Sequence, residues 1–93
     1  MEVSAQVISK HALSADIVEL VLLTAQPLDV RAGQYLRFRL DDGDSRCFSV
    51  ANLPAQDQGR LVFHIRQVPG GLFSERILPT LQVGDAVKLE GPV

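Results

Sequence analysis

Leu61-Val62-Phe63-His64-Ile65-Arg66 places an apolar residue at every second position. Leu61, Phe63 and Ile65 share one side of an extended segment, and Val62, His64 and Arg66 share the other. A period of two is what a strand with one buried face requires, and a helix would scatter the same residues around its axis. The turn residues Asn52-Leu53-Pro54 precede this stretch, and Pro69-Gly70-Gly71 follow it. The same alternation recurs in both directions along the chain. Val3, Ala5 and Val7 alternate with Ser4 and Gln6. Val18, Leu20 and Leu22 oppose Ile17, Glu19, Val21 and Leu23. Leu36, Phe38 and Leu40 alternate with Tyr35, Arg37 and Arg39, and Val87 and Leu89 alternate with Lys88 and Glu90. A sixth short strand is expected from Cys47 to Val50, and Ala32-Gly33, Asp41-Asp42-Gly43-Asp44 and Gly84-Asp85 supply the remaining turns.

One segment resists the strand reading. Ser74 can cap a helix, with Glu75 favoured in its first turn by the helix dipole. Ile77, Leu78 and Leu81 would then face the core. Pro79 limits this helix to about two turns, because it lacks an amide hydrogen and crowds the preceding turn. The expectation is an all-β domain of about six strands and one short helix, its sheet edges removed by closure into a barrel or sandwich.

The 93 residues suffice for a single domain. Hydrophobic residues make up 46% and charged residues 22%, which excludes a disordered chain. A net charge of -2 removes the bulk electrostatic case for nucleic acid or an anionic membrane as partner. The apolar run Ile17–Leu23 contains Glu19 and is far too short to span a bilayer, and Met-Glu-Val-Ser at the start shows no secretory signal. One cysteine, Cys47, excludes an internal disulfide and an all-protein zinc site, and fits a reducing cytoplasm. No metal-ligand cluster stands out. Glu90-Gly91-Pro92-Val93 follows the last strand directly, which is expected where a linker leads to another domain.

Three clusters could carry chemistry. In Arg46-Cys47-Phe48-Ser49 the arginine fork suits a phosphate, the ring suits a flat heterocycle, and the hydroxyl suits a ring edge with mixed donors and acceptors. Taken without further context, the same residues read first as a solvated charge, a core aromatic and a plain strand serine. In Pro69-Gly70-Gly71-Leu72-Phe73-Ser74 two glycines lead into a helix N-terminus, a phosphate site or an ordinary capped turn. On the strand just before it, Arg66 of His64-Ile65-Arg66 could bring a second cation to the same phosphates or lie exposed. No carboxylate has a spacing that nominates it as partner to His64, and His11 falls in an expected loop.

Arg31-Ala32-Gly33-Gln34-Tyr35, Arg46-Cys47-Phe48-Ser49-Val50-Ala51-Asn52, Pro69-Gly70-Gly71-Leu72-Phe73-Ser74, Val83-Gly84-Asp85 and Glu90-Gly91-Pro92 occur in this order. Together they resemble the flavin-binding domain of the ferredoxin–NADP reductase superfamily over essentially the whole chain. The nearest groups by resemblance are the NAD(P)H-dependent oxygenase reductases, the flavin reductases and the CDP-6-deoxyglucoseen-type reductases. The resemblance implies a six-stranded antiparallel Greek-key β-barrel with one short capping helix, binding FAD or less often FMN outside the strands. It implies that Arg46 contacts the pyrophosphate, that Phe48 stacks on the flavin, and that Ser49, followed by Val50, hydrogen-bonds near flavin N5 as the catalytic candidate. It implies that the backbone of His64, Ile65 and Arg66 lines the isoalloxazine edge. It also implies that Gly70, Gly71, Leu72, Phe73 and Ser74 hold the pyrophosphate.

Two departures from the family pattern matter. Phe48 stands where the family usually has tyrosine, so stacking is kept and one hydroxyl is lost. The NAD(P)-binding domain that follows the Gly-Pro in the family is absent from residues 1–93, so the resemblance leads us to expect that the chain is part of a larger enzyme. That enzyme would pass electrons from NAD(P)H through FAD to an iron–sulfur domain, an oxygenase partner, a haem or free flavin, and the isolated chain is expected to be inactive. The rival reading is a cofactor-free β-barrel interaction module, since barrel architecture alone does not imply function.

Overall fold

The computed structural model describes residues 2–26, 28–31, 33–39, 45–70 and 78–92. They form strands β1 (Glu2–Ala12), β2 (Ile17–Thr24), β3 (Tyr35–Arg39), β4 (Ser45–Ser49), β5 (Arg60–Arg66) and β6 (Ala86–Glu90). The sheet runs in the order β4-β3-β6-β1-β2-β5, with every neighbouring pair antiparallel. The β2–β3 connection crosses past β1 in the sheet order, and after β5 the chain returns to insert β6 between β3 and β1, which is the expected Greek-key path. The ladder itself does not close: β4 and β5 remain its two ends.

The alternation read from the sequence becomes the core. Val3, Ala5 and Val7 of β1, Val18, Leu20 and Leu22 of β2, and Leu61, Phe63 and Ile65 of β5 are buried. Leu36 and Phe38 of β3 and Val87 and Leu89 of β6 join them, with Val30, Val50 and Leu78 from connections. Each buried Val, Leu, Ile or Phe side chain contributes roughly 1.5–3 kcal/mol by leaving water. Phe38 stacks edge-on with Phe63 at 5.0 Å, tying the β3 wall to the β5 wall through the interior.

β1 runs further than its sequence pattern suggests. Its pairing with β2 shifts between Val7 and Ser9, so Ile8 is an extra residue in a β-bulge. The bulge breaks the alternation and lets the strand continue to Ala12. His11 is therefore on β1, opposite Glu19, and not in a loop as expected. The bulge also turns Lys10 onto the side of Leu20, its partner on β2. The Lys10 ammonium donates to the carbonyls of Leu81 at 2.7 Å and Leu78 at 3.1 Å, pinning the segment before β6 to the barrel.

The expected helix from Ser74 begins in residues 74–77, which lie outside those described. From Leu78 to Thr80 the chain makes a single 3-10 turn, with Pro79 at its centre. Leu78 is buried and Leu81 packs partly against the core, as the sequence pattern required. On the outer wall Arg39 of β3 donates to Glu90 of β6 at 2.6 Å, crossing the ladder diagonally. That hydrogen bond holds the Glu90 carboxyl below its ordinary range and the Arg39 guanidinium above its own.

Candidate functional site

The seam between the two ladder ends is where backbone chemistry is left over. It is closed at one point. The Ala51 amide donates to the Val62 carbonyl at 2.8 Å, and the Val62 amide donates to the side-chain oxygen of Asn52 at 3.0 Å. The Asn52 amide nitrogen in turn donates to the carbonyl of Arg60 at 2.9 Å and to Asp57 at 2.7 Å. Along a strand, the N–H and C=O of successive residues point to opposite edges. Since Val62 faces β4, so do the backbone groups of His64 and Arg66. Since Ala51 faces β5, so do those of Ser49 and Cys47. Val50 faces the other way, donating to Gln34 at 2.8 Å and accepting from Gly33 at 3.1 Å. Among the described residues, β4 pairs in the sheet with β3 alone and β5 with β2 alone. Beyond the Ala51–Val62 closure the seam is thus an opening whose lips present amide donors and carbonyl acceptors that no strand ladder takes up.

The side chains sort by the same register. Ser49 pairs with Tyr35, and both are exposed on the outer face. Cys47, a free thiol, is exposed on that face too. Arg46 and Phe48 have the opposite parity, as their spacing predicts. Phe48 lies opposite buried Leu36, is half-buried, and meets Phe38 edge-on at 5.3 Å. Arg46 lies opposite Phe38 but stays exposed, donating to the Ser45 carbonyl at 2.7 Å. At the other lip, His64 and Arg66 are exposed at the end of β5. Arginines therefore stand on both strands that border the opening.

Two of the residues nominated from sequence belong inside the protein. Val50 and Ile65 are buried, their side chains in the core. The Ile65 backbone faces β2, leaving His64 and Arg66 to line the seam. Gly70 closes the turn after β5 with φ at +79°, and an added Cβ would meet nothing within 4 Å. Its constraint is conformational, since the left-handed region favours glycine over other residues. Gly71, Leu72, Phe73 and Ser74 lie outside the described residues.

The tertiary structure adds one residue that sequence spacing did not nominate. Glu19 of β2 lies opposite His64, its Oε2 3.4 Å from the imidazole Nε2. The two are 45 positions apart in sequence, and only the β2–β5 register makes them neighbours. Among the described residues no group of three His, Cys, Asp or Glu is placed to hold a metal ion. A separate groove of about 410 Å³ is lined by Leu23, Leu28, Asp29, Val30, Pro54 and Gln58, with no cation to meet a phosphate.

Comparison with known proteins assigns this arrangement to a family. Residues 4–93 match the profile of the family described as "Oxidoreductase FAD-binding domain". The chain is 40% identical over 91 residues to the reductase component 1 of terephthalate 1,2-dioxygenase from Comamonas, covering 96% of this chain and 26% of that protein. Among solved structures, it superposes on the Amycolatopsis cytochrome P450 reductase with a TM-score of 0.91 at 33% identity, covering 100% of this chain and 28% of that one. It superposes on phthalate dioxygenase reductase with a TM-score of 0.84 at 25% identity, covering 99% of this chain and 30% of that one. The chain spans about a quarter of the length of the curated relatives it matches.

Proposed function

Because the chain belongs to the oxidoreductase FAD-binding domain family, we propose that it is the flavin-seating module of an NAD(P)H-dependent reductase, with FAD held across the β4–β5 seam. The observation that carries this reading is the seam itself. Backbone donors and acceptors on Cys47, Ser49, His64 and Arg66 line an opening that the sheet leaves unpaired, with arginines on both of its strands. That donor set fits the group. The edge of an isoalloxazine ring presents hydrogen-bond acceptors and a donor, and a pyrophosphate calls for guanidinium and amide donors. FMN would use the same ring contacts with less of the phosphate site.

FAD, when bound, supplies hydride acceptance and the release of electrons one at a time. The chain's own residues bind and orient it. Arg46 and Arg66 attract the phosphates, aided by Gly70, Gly71, Leu72, Phe73 and Ser74. Phe48 gives an aromatic surface, and its contact with Phe38 fixes the ring position. Ser49 provides the hydroxyl for the reacting edge. NAD(P)H binding would fall to a further domain, in keeping with relatives about four times as long. The electrons would pass to an iron–sulfur domain or an oxygenase partner. That proposal is supported by the dioxygenase reductase relatives and by phthalate dioxygenase reductase, described as transferring electrons from pyridine nucleotides to [2Fe-2S]. No helix among the described residues is long and apolar enough to cross a membrane. We place the protein in the cytoplasm, where an exposed Cys47 stays reduced.

The test is a titration of the chain with FAD, and separately with FMN, followed by flavin fluorescence. Saturable binding is expected. Arg46→Ala should weaken it by about 1.5–3 kcal/mol, the scale of a hydrogen bond to a charged group, which is roughly ten- to a hundredfold in Kd. Binding of neither flavin would move the cofactor-free interaction module ahead.

A further inference from the structure

We propose that Glu19 and His64 form a proton-exchanging pair at the flavin seam, with His64 taking up and releasing the proton that accompanies electron traffic and Glu19 holding its ring. The inference rests on the flavin reading above and assigns a further task to the same opening. His64 follows Val62 on the same face and edge of β5, and Ser49 precedes Ala51 on the matching edge of β4, so the strands would carry both exposed side chains to the outer rim of the seam. Glu19 follows on β2 and His11 on β1, so His64, Glu19 and His11 form one row around the outer wall. Glu19 lies 3.4 Å from the imidazole Nε2, which orients the ring and leaves its second nitrogen for exchange. The His64 side chain is 47% exposed, so water can carry the proton away.

The chemistry needs such a group. A hydride brings two electrons and one proton to the ring. When both electrons leave singly to a one-electron acceptor, that proton must leave too. The described outer-face residues beside the seam are Cys47, Ser49, His64 and Arg66. Among these, only the imidazole of His64 carries two ring nitrogens, one to be held by a carboxylate and the other to take up or give up a proton. The other charged groups near His64 are Glu19 on β2, His11 beyond it on β1, Arg60 and Arg66 on its own strand, and Arg46 on the opposite lip.

The chain has two histidines, so their ring C2–H resonances can be assigned with a single His11→Gln variant. The experiment titrates both resonances from pH 5 to 8.5 in the FAD-loaded chain, first oxidised and then reduced with dithionite. The His64 midpoint is expected to rise by about one pH unit on reduction, as for a group near a newly gained negative charge. His11 should stay in place, and Glu19→Gln should shrink the His64 movement. A His64 midpoint equal in both redox states overturns the inference while the flavin reading stands. Failure of the unsubstituted chain to retain either FAD or FMN overturns the flavin reading and this inference with it.

Discussion

Asn52 holds the seam shut with both ends of its amide, and Arg46, six residues earlier, borders the part that stays open. The Asn52 oxygen satisfies the Val62 amide, while its nitrogen reaches the Arg60 carbonyl and Asp57. Asn52→Ala would leave the Val62 N–H without its partner. The expected cost is about 1–3 kcal/mol, read as a lower denaturation midpoint with the m-value unchanged. Arg46→Ala should behave in the opposite way, leaving the midpoint nearly unmoved because its side chain is exposed. Its effect belongs to flavin affinity. A large loss of stability in Arg46→Ala would place that guanidinium in the fold instead of the site.

At the scale of elements, the β1 bulge has the widest consequences. One extra residue at Ile8 carries Lys10 to the side of Leu20, where it holds the carbonyls of Leu78 and Leu81. Those residues immediately follow the segment that contains Ser74. Lys10→Met keeps most of the side-chain volume and removes the donor. It should cost about 1 kcal/mol, since these contacts are largely exposed, and should lower FAD affinity more than it lowers affinity for riboflavin, which has no phosphate. Equal losses for both ligands would show that Lys10 serves the barrel alone. The β3–β6 pair offers a pH test. The Glu90 carboxyl is held below the ordinary range of a glutamate, chiefly by the Arg39 hydrogen bond. A depressed carboxyl stabilises the fold above its unfolded pKa, and that contribution is lost as pH falls through the folded value. The difference in Tm between the chain and Glu90→Gln should therefore be constant at neutral pH and vanish under acid. It should also be small and shrink with salt, because the pair is solvent-exposed. A difference that grows below pH 4 would contradict the assignment.

For the whole molecule, stability rests on one interior. A chain of 93 residues has on the order of 5–14 kcal/mol to lose. Leu20 is fully buried, on the strand between β1 and β5. Leu20→Ala should cost about 2–5 kcal/mol and lower Tm by about 10–30 °C. Because the seam is bordered by the two ends of a single sheet, loosening the core should also widen it. FAD should then raise the Tm of Leu20→Ala, with the gain growing with FAD concentration as binding linkage demands. Scanning calorimetry with and without FAD checks both expectations.

The sequence by itself determined the strands and their inward faces. Alternation such as Leu61, Phe63 and Ile65 is local, and one buried face suffices to specify it. It also determined the family, because ordered motifs from Arg31 to Pro92 survive as residue identities. The parity of Arg46 and Phe48 against Cys47 and Ser49 was legible for the same reason. Only the tertiary structure decided which strands become the ends of the ladder, and hence which backbone groups are left over at the seam. Val50 and Ile65 bury their side chains in the core, and their backbone groups bond to residues 33–34 and to β2, which only the strand pairing could reveal. Continuing β1 past its bulge took a partner strand, which local alternation does not encode, so His11 was misread as a loop residue. Glu19 reaches His64 through the β2–β5 register, a long-range pairing that carries no signal in sequence spacing.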